Sequence, residues 1–149
     1  MERNYGFIFK NARNTAGLTQ ERWAESLGVS VDAVQNYEQG RNFPTEETVL
    51  LMADISGQKI LAYQYMSLKS RIACEILPAL GERISLPKAV LKLLAAVSRF
   101  QETGITELIQ LAADGKITED EAARFQNCLD QMDDLTKCIY EIKYAKEDP

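Results

Sequence analysis

The side chains whose types and spacing suggest chemistry lie in one stretch, Gly17 to Pro44, which reads GLTQERWAESLGVSVDAVQNYEQGRNFP. Two short helical patterns within it are joined by the turn Leu27-Gly28-Val29-Ser30. A turn of this length sets two helices at nearly a right angle. That arrangement lets one helix cross a phosphate backbone while the next enters the major groove of DNA. The predicted chemistry is therefore non-covalent recognition of nucleic acid.

The residue types that most enzymes use are scarce in this chain. It contains no histidine, the commonest general base and metal ligand, and its three cysteines, Cys74, Cys128 and Cys138, form no CxxC pair. We therefore expect no enzymatic activity, no metal site and no cofactor. The odd number and irregular spacing of the cysteines predict reduced, mostly buried thiols. With no apolar run of 18 residues and no leader pattern, we expect a cytoplasmic protein.

Charge limits how tightly the chain can bind DNA. The net charge is −5, and residues 1–56 contain five basic residues against eight acidic ones. Strong DNA-binding domains usually carry a basic surface, because phosphate contacts supply most of the non-specific affinity. We therefore expect modest affinity from one copy of the chain and a need for dimerisation.

Hydrophobic spacing and capping residues predict an all-α fold along nearly the whole chain. The first clear break is Ser56-Gly57, so we predict one domain over residues 1–57 and a second helical domain over residues 58–149, which dimerises or binds a partner. The predicted helices are Tyr5–Ala16, Gln20–Leu27, Val31–Gln39, a fourth from Pro44 or Thr45, Gln58–Leu77, Lys88–Thr103 (ended by Gly104), Ile105–Ala113 and Glu119–Tyr144.

A set of residues in the first domain has the spacing of a known family. They are Arg13, Gly17-Leu18-Thr19-Gln20, Ala24, Leu27-Gly28-Val29-Ser30, Val34, Tyr37-Glu38, Gly40 and Pro44. On these residues, Phe9 to Ser56 resembles the lambda-repressor/Cro-like helix-turn-helix family, also called xenobiotic-response-element-type regulators. The resemblance implies a bundle of four or five helices whose third helix reads double-stranded DNA, in a bacterial or phage regulator. Residues 58–149 resemble, more loosely, the helical C-terminal part of phage-type regulators.

The resemblance assigns base reading to Val31, Asp32, Gln35 and Asn36. The Gln35 and Asn36 amides can form paired hydrogen bonds with adenine, while Val31 can pack on a thymine methyl group. Asp32 can accept a hydrogen bond from a cytosine amino group. Its carboxylate would also stabilise the first helical turn without any DNA, and that alternative stays open.

The same resemblance assigns phosphate contacts to Thr19, Gln20, Arg41 and Asn42. Thr19 and Gln20 lie at a helix N-terminus, where backbone N–H groups favour an anion. Thr19 is also a good N-cap, and both roles can hold together. Arg41 could instead be a solvated charge in a loop.

Arg13 and Glu38 match a pair that forms an inward-facing salt bridge in relatives. Such a pair would tie the first helix to the end of the third, and removing either partner should destabilise the fold by ~3–5 kcal/mol if the site is desolvated. The alternative is two unrelated surface charges.

Glu21 and Glu25 lie four residues apart on the exposed face of the second predicted helix. Some regulators of the resembled family contact RNA polymerase through such an acidic patch, which makes RNA polymerase or another regulatory protein a possible partner. A solvated helix face explains the same two residues.

The last predicted helix carries apolar side chains at alternating spacings of three and four residues, which is a heptad seam. The seam residues that we assign to a dimer interface or to the core are Phe125, Met132, Leu135, Ile139 and Ile142. A homodimer would place two recognition helices ~34 Å apart, one turn of a palindromic DNA site. The alternative is a monomeric helical bundle.

These observations favour a sequence-specific DNA-binding transcription regulator that binds a palindromic operator as a dimer. The alternative is a degenerate helix-turn-helix protein that acts through protein–protein interaction, as an antagonist or an antitoxin-like factor. Gln20, Gln35, Asn36 and Arg41 favour the regulator. The acidic balance, Val31 and Asp32 favour the alternative.

Overall fold

The protein is all-α, as its sequence predicts. A computed structural model describes residues 5–81 and 83–146, and within these ranges the regular secondary structure is helical. The one extended pairing described there is an isolated bridge between Ser85 and Lys146. The chain divides into two compact units after Leu77. In the described ranges, no helix combines the length and apolar character needed to cross a bilayer.

Short helices with well-defined ends build the first unit. Thr19, Ser30, Thr45 and Ser70 each accept a backbone N–H with the side-chain oxygen at a helix start, which satisfies a donor that the helix itself leaves free. The helices are α1 Gly6–Thr15, α2 Gln20–Leu27, α3 Val31–Glu38, α4 Glu46–Ser56, α5 Ile60–Lys69 and α6 Arg71–Ile76.

The core of the first unit extends beyond the predicted boundary at Gly57. Trp23 and Phe9 are fully buried at its centre, and Leu61 and Tyr65 from α5 belong to the same cluster. The Tyr65 hydroxyl donates to the Pro44 carbonyl at 3.1 Å, which ties α5 to the segment before α4. Gly57 only ends α4 with a left-handed backbone (φ 65°). The division therefore lies twenty residues later than Ser56-Gly57 indicated.

The predicted helix Gln58–Leu77 is two helices, so that prediction was wrong in detail. Ser70 has an extended backbone (φ −106°, ψ 119°) between α5 and α6. Its hydroxyl accepts from the Ala73 N–H at 3.2 Å and begins α6. Serine competes for backbone hydrogen bonds in this way because its side chain is short and polar.

The second unit contains α7 Leu86–Arg99, a π-helical turn Phe100–Gly104, α8 Ile105–Leu111 and α9 Ala122–Lys143. Gly104 does not end the helix as predicted; its backbone is helical (φ −65°, ψ −45°). It is buried, and a Cβ added there would lie 2.9 Å from Gln131 Oε1 and still closer to the Phe100 ring. Glycine is thus needed for close packing against α9 rather than for a break.

Helices α7 and α9 pack antiparallel. Lys92 in the middle of α7 binds Glu141 near the end of α9, whereas Arg99 at the end of α7 binds Asp134, which comes earlier in α9. The buried residues of this pair are Ala89, Ala96, Cys128, Gln131 and Cys138, so none of them is a large apolar side chain. The predicted seam of α9 is divided, since Phe125, Leu135 and Ile142 are half-buried whereas Met132 and Ile139 are exposed.

Candidate nucleic-acid interface

The turn between α2 and α3 is three residues long and is fixed by backbone hydrogen bonds. Gly28 adopts a left-handed conformation (φ 65°, ψ 29°), and its N–H and that of Val29 donate to the last carbonyls of α2. Ser30 then accepts from the Ala33 N–H at 3.1 Å and starts α3. Because glycine tolerates positive φ without strain, this tight turn depends on Gly28.

Helix α3 has one buried side and one polar side. Val34 is buried in the core, and Tyr37 packs edge-on against Phe9 with ring centroids 6.4 Å apart. Two of the predicted base-reading residues, Asp32 and Gln35, are exposed, and the other two, Val31 and Asn36, are half-buried. Asp32, Gln35 and Asn36 are three and four residues apart and lie on the side of α3 that faces away from the core. Val31 lies at the edge of this side, because its half-buried side chain packs in part against the core.

Arg13 and Glu38 form a nearly buried ion pair that joins α1 to α3. Arg13 Nε donates to Glu38 Oε1 at 2.5 Å and Nη2 to Oε2 at 3.2 Å, while Nη1 donates to the Leu18 carbonyl at 2.8 Å. Only 13% of the Arg13 side chain and 5% of the Glu38 side chain are exposed. The hydrogen bond from Arg13 to Glu38 is the main cause that raises the pKa of the guanidinium. Two parallel donors on one carboxylate fix the angle between the helices.

The amide of Gln20 is turned towards the inside of the first unit. Gln20 Nε2 donates to Glu38 Oε2 at 2.8 Å, so the Glu38 carboxylate holds the first residue of α2 as well as α1. The resemblance assigned this amide to a DNA phosphate. In the free protein that donor is already in use, and only the rest of the Gln20 amide is left for a second partner.

Arg41 and Asn42 lie directly after α3, and both side chains are exposed. The Arg41 N–H donates to the Asn36 carbonyl at 2.9 Å, which closes the end of α3 around Gly40 (φ 71°). The backbone of the loop is thereby fixed against α3, while the guanidinium of Arg41 extends into solvent. A phosphate group beside the C-terminal end of α3 would therefore lie close to the positive charge of Arg41.

The geometry agrees with a comparison against protein-family models. Residues 5–59 match the family model of a helix-turn-helix domain. No curated protein and no solved structure matches the chain. The match covers the turn, both flanking helices and the ion pair, and it stops at the start of α5.

The start of α2 in this helix-turn-helix domain already holds an anion from the chain itself. Thr19 Oγ1 accepts from the Arg22 N–H at 3.3 Å. The Glu21 carboxylate is exposed, and hydrogen bonds from its own backbone N–H and from the Thr19 hydroxyl lower its pKa. A helix N-terminus favours negative charge, so Glu21 competes for the position that a phosphate would take.

Gly6 is a residue of the helix-turn-helix domain that sequence reasoning missed. A Cβ at this position would lie 2.6 Å from the Gly40 nitrogen and still closer to the Glu38 carbonyl. Gly6 therefore allows the start of α1 to touch the end of α3. A single glycine beside a helix start carries no signal for this contact, because the contact partners lie more than thirty residues away.

Proposed function

We propose that this chain is a sequence-specific DNA-binding transcription regulator that acts in the cytoplasm and binds a palindromic operator as a homodimer. The observation that carries the proposal is the polar side of α3, held away from the core on a helix that Glu38, Arg13 and Gln20 fix in place. A rigid helix with outward-facing amides suits the major groove. The ion pair also supports the lambda-repressor-like subtype.

In this proposal Val31, Asp32, Gln35 and Asn36 make the base contacts. Gln35 and Asn36 bind adenine edges, Asp32 accepts from a cytosine amino group, and Val31 packs on a thymine methyl group. Thr19, Arg41 and Asn42 contact phosphates on either side of the groove, and Gln20 contributes with the part of its amide that Glu38 leaves unused. The phosphate contacts set register and affinity, whereas the base contacts set the sequence.

The acidic balance of the chain explains why a dimer is needed. With a net charge of −5, one copy gains little from counterion release. When two copies are joined and one of them has bound DNA, binding of the second copy becomes intramolecular. The effective concentration of the second DNA-binding domain at its half-site then rises without any added positive charge. A palindromic operator follows, since the two-fold symmetry of a dimer requires two-fold related half-sites.

A second candidate function is protein–protein interaction by a helix-turn-helix domain that has lost its affinity for DNA. The inward-turned Gln20 amide and the Glu21 carboxylate at the start of α2 favour it.

A variant of the first proposal gives Glu21 and Glu25, both exposed on α2, a contact with RNA polymerase. Reversal of both charges should then reduce activation while operator binding is kept.

Selection from pools of random double-stranded DNA, at low and at physiological salt, separates the two functions. The regulator enriches a palindrome in both conditions, with half-sites about one helical turn apart. A protein-binding module enriches no sequence at physiological salt, and retention at low salt is then the same for all duplexes. Absence of enrichment in both pools would rule out the DNA-binding proposal.

A further inference from the structure

The antiparallel pair of α7 and α9 has two unlike sides. One side carries the ion pairs Lys92–Glu141 (2.5 Å) and Arg99–Asp134 (3.2 Å). The ion pair Lys92–Glu141 marks one level along the two helices. Because the helices are antiparallel, Leu94, two residues after Lys92, and Ile139, two residues before Glu141, also lie at a common level. Two residues turn a helix by about 200°. Leu94 and Ile139 therefore lie side by side on the side opposite the ion pairs.

Several large apolar side chains of this pair lie outside its own core. Leu91 is 67% exposed, Leu94 59% and Ile139 57%, and Val90 and Met132 are also exposed. The buried residues of the two helices are Ala89, Ala96, Cys128, Gln131 and Cys138 instead, and Leu93, Leu135 and Ile142 are half-buried. A helix pair usually buries its large apolar residues and exposes the small or polar ones. Val90 is one turn before Leu94, and Met132 is two turns before Ile139, so all four lie on the side opposite the ion pairs, and we call them the apolar face. Leu91 lies two residues after the buried Ala89 and therefore points away from α9.

We propose that the apolar face is the dimer interface, and that its occupant is the same face of a second copy of this chain. In a two-fold contact each patch meets itself, so any charged residue near the axis would lie close to a like charge. None of these four side chains is charged, and Lys92, Arg99, Asp134 and Glu141 lie on the other side. Lys143, one turn after Ile139, has its ammonium group over the rings of Tyr140 and Tyr144. The face is thus complementary to itself, and two helix pairs would form a four-helix bundle.

The size of the apolar face fits this occupant. At their observed exposure, the four side chains offer on the order of 350 Å² of apolar surface, somewhat less than half of the ~800 Å² that each partner contributes to a standard interface. Apolar surface makes up somewhat more than half of typical interfaces. Half-buried neighbours such as Val97 and Phe125 would add to this area, and polar residues at the rim would supply the rest.

The inference deepens the proposed dimeric function, and its test is the oligomeric state of the full chain. Sedimentation equilibrium at micromolar concentration should give about twice 16.8 kDa for the wild type. Leu94→Glu and Ile139→Glu should each give the monomer mass with unchanged helical circular dichroism. The control, Ile72→Glu, changes an even more exposed isoleucine (72%) of the first unit and should leave the dimer intact. Leu94→Asn adds no charge and should raise the dissociation constant of the dimer at least tenfold.

Three outcomes would overturn the inference: a wild-type monomer, a dimer that survives all three substitutions in the apolar face, or a dimer that only Ile72→Glu dissociates. Binding to DNA separates this inference from the proposed function. A monomeric Leu94→Glu variant should bind a single half-site as tightly as one wild-type subunit and lose only the added affinity of the palindrome. If sedimentation gives the expected masses for the wild type and the variants but no DNA sequence is enriched, the dimer interface is supported and the DNA-binding proposal fails.

Discussion

Gln20 donates a hydrogen bond to Glu38 across eighteen residues of chain, with Nε2 and Oε2 2.8 Å apart. The same carboxylate accepts both parallel donors of Arg13. One side chain therefore fixes the end of α3 to α1 and to the first residue of α2. Together with the core packing of Val34 and Tyr37, this carboxylate sets the orientation of the polar side of α3.

Loss of Arg13 should destabilise the first unit strongly. Arg13→Ala leaves the nearly buried Glu38 carboxylate without its charged partner, and we expect the free energy of unfolding to fall by ~3–5 kcal/mol. Trp23 is the sole tryptophan and is fully buried in this core, so its fluorescence follows urea unfolding of the first unit.

The matched control for Arg13 is Arg22→Ala, which removes an exposed arginine from α2 in the same unit. Its effect should stay within about 0.5 kcal/mol. Equal losses for the two variants would mean that the ion pair contributes no more than a surface charge.

Removal of the Glu21 charge should strengthen DNA binding. Glu21→Gln takes a carboxylate away from the start of α2, where a phosphate is expected, so affinity for any duplex should rise by about threefold to tenfold at low salt and by less at high salt. Fluorescence anisotropy with a labelled duplex measures the change. Glu25→Gln, one turn further along α2, should give a smaller gain, and equal gains would argue against a phosphate at this helix start.

Acid should weaken the first unit partly through Glu47. Hydrogen bonds from its own backbone N–H and from the Thr45 hydroxyl lower the pKa of this carboxyl below its ordinary value of 4.5. A group with a lowered pKa adds stability above that ordinary value and loses it as the pH falls through the folded-state pKa. Glu47→Gln should therefore unfold at lower urea at pH 7 and lose less stability than the wild type between pH 5 and 3. Identical pH dependence in both proteins would contradict this role.

Gly104 should tolerate no side chain. Gly104→Ala forces a Cβ into the Phe100 ring and Gln131 Oε1, and we expect a loss of ~1–3 kcal/mol in thermal unfolding followed by circular dichroism. Gly81→Ala is the control, since a Cβ there meets nothing within 4 Å. If Gly104→Ala were as stable as that control, the close packing at the π-helical turn would be relaxed in solution.

Local signals were sufficient to predict the first four helices and the turn. Thr19, Ser30 and Thr45 each cap a helix by binding a backbone N–H three residues later. Gly28 ends α2 through its own left-handed backbone conformation, so it needs no distant partner. The sequence did not reveal the direction of the Gln20 amide, because Glu38 lies in another helix. The predicted boundary at Gly57 places Leu61 and Tyr65 in the second domain. A glycine that ends a helix has the same local sequence signal whether the next helix belongs to the same domain or to another one. Gly104 was misread for a similar reason, since its neighbours Phe100 and Gln131 become visible only in the packed structure.

The most direct test of the central claim compares the wild type with Asn36→Ala in the selection from random duplexes. If α3 reads bases, the variant should enrich the same palindrome with one preference per half-site relaxed by ~1–3 kcal/mol, while Arg41→Ala should weaken all sequences alike and flatten the salt dependence. An unchanged base preference in Asn36→Ala, and likewise in Gln35→Ala, would contradict recognition of DNA by α3.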